Sequence, residues 1–399
     1  MEGRLRGLGQ AAGDITLEAI AAIRALEANG HEPILLGYHP VARMNPYQAL
    51  LYQRSWDAGI AALPIVREAR IAELADLARR GSPTVLHLHW LNQVLAHAGS
   101  VKDAHGLRKA FLKVVDDYLA AGGRLVWTVH NIVPHGARFE AEEAALSADI
   151  VERCTAVHVL ARGTPQLVSG WFAIPQAKVL EVPHPSYAGA YEDFITREQA
   201  RHELGLWPDE IVHVVVGAIK PYKGLNELLD AWDSLAADGV PRRLVVAGGP
   251  SDEAGIAETL ERAALHPSVL LHARKIPAAE IQIFLRAADV AVMPYLRSLN
   301  SGALMLALTF GLPVVVPAGG GLAEVVDERF ARVFEPEVPN SLAAALRAAD
   351  ELVNADARAA ATAAAAARAP GPLSERFTTE LRSRLASAAP VDGVLAPRG

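Results

Sequence analysis

Cysteine occurs once, at Cys154, so no intramolecular disulfide can form, and a reducing cytoplasm is the compartment that fits. Long apolar runs are missing. No stretch approaches the length of a membrane-spanning helix, and Met1-Glu2-Gly3-Arg4 lacks the apolar core of a signal peptide. Positive charge is in short supply: the net charge of −7 argues against a nucleic-acid partner, because neutralising many phosphates takes a basic surface. Familiar catalytic signatures are also absent. There is no Gly-x-Ser-x-Gly elbow, Walker loop, Cys-x-x-Cys or His-Glu-x-x-His. Gly7-Leu8-Gly9 begins a near match to the dinucleotide fingerprint, but no convincing strand precedes it, which weakens a dehydrogenase reading.

What is present is length and apolar content. A chain of 399 residues outgrows one hydrophobic core, so two domains are expected. With 51% hydrophobic and 21% charged residues, it suits well-buried sheets rather than disorder. A basic cluster (Lys102, His105, Arg108, Lys109, Lys113) is compatible with weak peripheral membrane contact, although a solvated helix face is the simpler reading.

Short apolar runs alternate with amphipathic stretches. Helix 15–29 stops at Asn29-Gly30, and strand 33–38 and helix 46–57 follow. Helix 67–80, strand 84–90, helix 106–121, strand 125–130, helix 140–152 and strand 155–160 continue the series. The proline-rich segment 181–197 reads as a connection. Strands at 211–217, 242–248, 268–272, 289–293 and 313–317 then alternate with helices at 224–237, 253–265, 278–287 and 301–310. This order predicts doubly wound parallel sheets. The alanine-rich run 342–369 predicts one or two surface helices, broken at Ala369-Pro370-Gly371-Pro372 and followed by a helix over 373–387. The tail is expected to be disordered.

Chemistry concentrates where strands feed helices, the places at which open α/β sheets bind ligands. Gly217-Ala218-Ile219-Lys220-Pro221-Tyr222-Lys223-Gly224 offers two lysines and turn amides for a diphosphate, against the plainer reading of an exposed turn. In Met293 to Leu304, Asn300 or Ser301 caps a helix, Gly302 opens its backbone to close approach, and Arg297 adds a fork matched to phosphate oxygens. Gly319-Gly320-Gly321 permits another close approach, or is simply a flexible loop. In the first half His87, His89 and Trp90 end one strand, and Thr128, His130 and Asn131 end the next, with Pro134 and His135 just beyond. These histidines suit proton exchange; a zinc site is the rival, and no motif supports it.

The strand-turn Gly-x-x-x-Pro-x-Lys-Gly at 217–224, Met293-Pro294, Gly311-Leu312-Pro313-Val314-Val315 and Gly-Gly-Leu-Ala-Glu at 320–324 together resemble the GT-B glycosyltransferases, in particular those related to glycosyltransferase family 4. Gly30-His31-Glu32, His-Leu-His-Trp and Thr-Val-His-Asn extend the resemblance to the first half, over roughly residues 31–388 in all. Asn45-Pro46-Tyr47-Gln48 with Leu50-Leu51-Tyr52 is similar to a bacterial, exopolysaccharide-type subgroup. The resemblance implies two Rossmann-like domains facing across a cleft: residues 1–190 for the acceptor and 191–372 for the nucleotide sugar. A last helix, 373–388, returns to the first domain, and 389–399 forms the tail.

It further implies that Lys223 faces the donor diphosphate and that His130 lies near sugar and acceptor. The chain departs from the pattern elsewhere. Ala218 stands where a basic residue is usual, with Lys220 as substitute; Ser298 and Leu306 stand where paired glutamates are usual, with Arg297 and the amides of Ser301 and Gly302 as substitutes. Glu324 completes the donor set. The family usually opens on a strand, so either a short one lies near Arg4–Leu8 or helix 15–29 precedes the first strand at 33–38.

The expected reaction is metal-independent transfer of a sugar, a hexose by expectation, from a UDP- or GDP-sugar to a hydroxyl of a small-molecule, glycan or lipid-linked acceptor. No cofactor is required. His130, then His135, is the candidate base if configuration inverts. A nucleotide-sugar epimerase of the same fold and a non-catalytic nucleotide-sugar-binding protein are the alternatives. Sugar, base, acceptor and stereochemistry stay open.

Overall fold

The computed structural model describes residues 15–132, 137–296 and 298–387. It divides into two compact units, one drawn from Met1–Pro183 with Pro370–Gly399, the other His184–Ala369.

The first unit is built on a six-stranded sheet in which every pair of neighbours is parallel. Its strands are β1 (Ile34–His39), β2 (Ile60–Pro64), β3 (Thr84–Leu88), β4 (Arg124–Val129), β5 (Ala156–Val159) and β6 (Val179–Glu181), in the order β2-β1-β3-β4-β5-β6. The chain winds one way from β1 and the other way from β3, so the sheet reverses between them. The helix Ile15–Glu27 precedes β1, and β1 pairs with β2 on one side and β3 on the other. β1 is the first described strand; Arg4–Leu8, the other candidate for a first strand, lies outside the described residues, as do residues 389–399. One face of the sheet packs Leu36, Val85, Val126 and Leu180 against Tyr47, Leu51, Leu373, Phe377 and Leu381. Burying each such side chain is worth about 1.5–3 kcal/mol relative to exposure.

The second sheet, also six-stranded with parallel neighbours, contains β7 (Ile211–Val216), β8 (Arg242–Ala247), β9 (Val269–His272), β10 (Val290–Val292), β11 (Val314–Pro317) and β12 (Ala331–Phe334). The order β12-β11-β10-β7-β8-β9 places the reversal between β7 and β10. β-Branched runs such as Ile211-Val212-His213-Val214-Val215-Val216 suit strands covered by helices on both faces. The helix Gly302–Thr309 is apolar all round and accordingly buried. Asp289, at the entry to β10, is buried and held by Arg201 at 2.7 Å and by the amide of Val212 at 2.8 Å. That ties β10 to β7 at the end away from the ligand side.

Several expectations need correction. Strands β2, β6 and β12 are not announced by the sequence pattern: they are short, and carry two alanines and a proline, a glutamate, and an arginine respectively. The alanine-rich run forms helices Ser341–Ala349 and Ala355–Ala366 rather than a purely surface pair, since Ala357, Ala361 and Ala365 form a buried stripe. The last helix starts at Pro370, not 373, because proline is well accommodated in a first turn, where its missing N–H has no intrahelical role. It packs in the first unit: Ser374 Oγ donates to the carbonyl of Leu51 at 2.7 Å, and Arg376 Nη2 to that of Glu181 at 2.8 Å.

Candidate functional site

In the second unit the sheet reversal brings together the loops that leave β7 and β10. Pro221–Lys223 makes a single 3-10 turn, and Gly224 (φ 67°) ends it and opens the helix Leu225–Asp233. Only glycine fits there. A Cβ at Gly224 would stand 1.9 Å from the carbonyl oxygen of Pro294. The Leu296 amide donates to the carbonyl of Tyr222 at 3.0 Å, and the Gly321 amide to that of Leu299 at 2.9 Å. A Cβ at Gly320 would be 2.2 Å from the Ser298 carbonyl oxygen. The loops after β7, β10 and β11 are thus interlocked through backbone contacts.

On this platform the Lys223 ammonium lies over the end of β7, 3.1 Å from where a Gly217 Cβ would be and 5.5 Å from the centre of the Tyr295 ring. Lys220 turns toward Glu253, 3.8 Å away, in a half-exposed pair that leaves it adaptable. Ser301, not Asn300, caps the helix Gly302–Thr309, its Oγ accepting from the Leu304 amide at 3.1 Å. Helix geometry leaves the amides of Gly302 and Ala303 without an intrahelical acceptor. The side of Gly302 on which a Cβ would project is taken by Tyr187, whose Oη lies 2.7 Å from such a Cβ. The absent side chain therefore makes room for a tyrosine that the sequence pattern did not single out. Asn300 contributes its carbonyl to the Ser298 hydroxyl at 2.9 Å. Glu324 is exposed beyond the Gly320–Leu322 turn, its carbonyl accepting from Arg368 at 3.4 Å. Arg297 and His135 lie outside the described residues.

In the first unit the strand-end histidines form one cluster. His87, in β3, and His89, just past its end, lie with ring centroids 4.3 Å apart, and both reach the hydroxyl of Tyr52 at 2.7 Å. His87 also contacts Thr128 Oγ1 at 2.7 Å, and Thr128 contacts His158 Nδ1 at 3.0 Å. His130, half-buried, meets His89 at 3.1 Å, lies parallel to Trp90 at 4.2 Å between ring centroids, and is met edge-on by Tyr47 at 5.1 Å. Burial holds His87 and His89 well below the usual histidine range. Among the described residues no group of His, Cys, Asp or Glu is placed to hold a metal ion. His158 stands outside the motifs, and Tyr52 belongs to one of them, Leu50-Leu51-Tyr52, that gives no link to the histidines; the register that pairs Thr128 with His158 carries part of that signal.

The basic cluster is largely absorbed within its own fold. Arg108 binds Glu142 at 2.8 Å and also Asp149, and Lys113 pairs with Asp117 at 2.8 Å. No described helix is long and apolar enough to cross a membrane.

Parallel sheets wound in both directions, with basic and aromatic side chains gathered where each reverses, define a doubly wound α/β protein of two Rossmann-like units. Residues 210–350 match the family described as Glycosyl transferases group 1. The chain is similar to the GDP-mannose:glycolipid 4-beta-D-mannosyltransferase of Xanthomonas campestris pv. campestris, 28% identical over 292 residues covering 72% of this chain and 74% of that protein. Its fold is similar to sucrose-phosphate synthase from Thermosynechococcus elongatus (TM-score 0.65, 18% identity, 90% of this chain and 100% of that one). It is likewise similar to Anabaena HepE in complex with UDP and glucose (TM-score 0.64, 14% identity, 88% and 100%). The chain is a glycosyltransferase of the GT-B fold.

Proposed function

We propose that the chain transfers a hexosyl group, mannosyl in the first place, from a GDP-sugar to a hydroxyl of a lipid-linked glycan, without a metal ion. The observation that carries this reading is the interlock of the loops after β7, β10 and β11, with the Lys223 ammonium and the capped helix start above it. A departing nucleoside diphosphate gains negative charge. Among the described residues, Lys223, Lys220 and the amides of Gly302 and Ala303 are suited to offset it. Arg297 and Glu324 belong to the same donor set.

Guanine, mannose and the lipid-linked acceptor are drawn from the activity for which the Xanthomonas relative is named. The first unit takes the acceptor, with His130 as the base. Ser298 and Leu306 stand where the resemblance would place paired carboxylates; the first is bonded to the Asn300 carbonyl and the second is buried. With no acid at those positions, single displacement with inversion is the route these side chains support.

The test is thermal-shift measurement with GDP, UDP and ADP in EDTA, followed by transfer from radiolabelled GDP-mannose to a bacterial glycolipid extract. Selective stabilisation by GDP and label in the lipid fraction are expected. Stabilisation by UDP alone, or loss of transfer in EDTA, would overturn the assignment. A new sugar nucleotide formed without any acceptor would favour the epimerase reading instead.

A further inference from the structure

Six side chains of the first unit form an unbroken hydrogen-bonded line: His158, Thr128, His87, Tyr52, His89 and His130. One end of that line can only accept. The carbonyl of Val182 takes its bond from His158 Nε2 at 3.0 Å, so that nitrogen carries the proton. In a neutral ring Nδ1 is then bare, and the Thr128 hydroxyl must donate to it, at 3.0 Å. With its only proton committed, Thr128 Oγ1 accepts from His87 Nε2 at 2.7 Å. His87 Nδ1 is bare in turn and takes the Tyr52 hydroxyl proton, at 2.7 Å. Tyr52 Oη therefore accepts from His89 Nε2, at 2.7 Å. His89 Nδ1 is left to accept from His130 Nε2, at 3.1 Å.

Once the first link is set, every later link has one polarity. The premise is neutral rings. His87, His89 and His158 are 0%, 1% and 0% exposed, and Phe377 lies 5.4 Å from His87 and 5.1 Å from His158 between ring centroids. An imidazolium in such surroundings is strongly disfavoured. Reversing any single link sets two lone pairs or two protons against each other, so the line reverses as a whole or not at all.

We propose that this line is a tautomer lock: it fixes His130 with its proton on Nε2, and so makes Nδ1 the atom that takes the acceptor's proton. The proposal rests on the glycosyl transfer read above. In that step the acceptor O–H proton passes to Nδ1. The oxygen's electron pair forms the new bond to the anomeric carbon, and the bond from that carbon to the phosphate oxygen breaks, its pair leaving on the nucleoside diphosphate. No proton travels along the line. His158, Thr128, His87, Tyr52 and His89 are positioning residues; the sequence shows them only as scattered histidines and hydroxyls.

The experiment is two-bond 1H–15N NMR on the full chain labelled with 15N-histidine, with His130 assigned by the His130→Gln spectrum. The Nε2–H pattern is expected for His130, His89, His87 and His158 at neutral pH. Tyr52→Phe and Thr128→Val cut the line at separate places. Each is expected to bring the Nδ1–H form of His130 into the spectrum and to lower kcat at least tenfold, with donor KM within twofold. Thr128→Ser restores the hydroxyl and is expected to restore both. An Nδ1–H pattern for His130 in the unsubstituted protein overturns the lock whether or not the enzyme turns over. So does a Thr128→Val protein with unchanged spectrum and kcat. Because the spectrum needs no substrate, an Nε2–H His130 in a protein without transfer activity upholds the lock and counts against the function instead.

Discussion

Gly224 and Pro294 touch backbone to backbone: the place where a Gly224 Cβ would be is 1.9 Å from the Pro294 carbonyl oxygen. Gly224→Ala must therefore push the loops after β7 and β10 apart, besides placing alanine at φ 67°. A stability loss of about 2–4 kcal/mol is expected. Chemical denaturation measures it, and nucleoside diphosphate titration should show binding weakened well beyond the effect of a remote substitution of equal cost.

Lys223 is half-buried, its ammonium 5.5 Å from the centre of the Tyr295 ring, and offers a positive charge at the end of β7. Its removal in Lys223→Ala is expected to weaken nucleoside diphosphate binding about 10- to 100-fold, roughly 1.5–3 kcal/mol, with stability nearly unchanged. Lys223→Arg should recover part of it. Calorimetric titration at two salt concentrations checks both, and equal affinity for wild type and Lys223→Ala would remove the donor assignment.

Ser301 acts through its cap. Ser301→Ala loses the bond to the Leu304 amide and is expected to cost about 1 kcal/mol of stability. The Gly302 and Ala303 amides remain, so diphosphate affinity should fall less than threefold. A larger loss would show the hydroxyl itself on the ligand.

Glu143 links stability to pH. Burial raises its carboxyl from 4.5 to about 7, so the folded chain keeps a proton that the unfolded chain has already released. Its contribution is full below pH 4.5 and is lost as pH rises through 7. His213 and His184, pushed down from 6.5 to about 4 by burial, act oppositely: their contribution is present above 6.5 and lost as pH falls toward 4. Glu143→Gln should raise the Tm at pH 8 by a few degrees, an effect of at most about 3 kcal/mol, and change little near pH 5. Parallel melting curves across pH for the two proteins would contradict this.

How much of this was legible beforehand varied with burial. Central strands such as β7 and β11 are dominated by valine and isoleucine, broken only by His213 and the closing Pro317, as suits a covered parallel strand. The edge strands β2, β6 and β12 are bonded on one side only and tolerate Pro64, Glu181 and Arg332, which blurs their pattern. Lys223 could be read because its turn needs proline and glycine at fixed offsets. Tyr187 could not, since its approach to Gly302 joins positions far apart in sequence. The histidine line lay between these cases: its members were visible on neighbouring strands, but their polarity depends on Tyr52 and the Val182 carbonyl, which only folding brings to them.

The helix Pro370–Ser387 closes the first unit, laying Leu373, Phe377 and Leu381 on a sheet whose last strand ends at Glu181. On the ribosome, nearly two hundred residues must emerge between that strand and its cover. The second unit, unbroken in sequence, can consolidate while the earlier-made half still waits with its apolar face open. Chaperone dependence should therefore track the amino-terminal half, and a stop codon just before Pro370 would be felt there first.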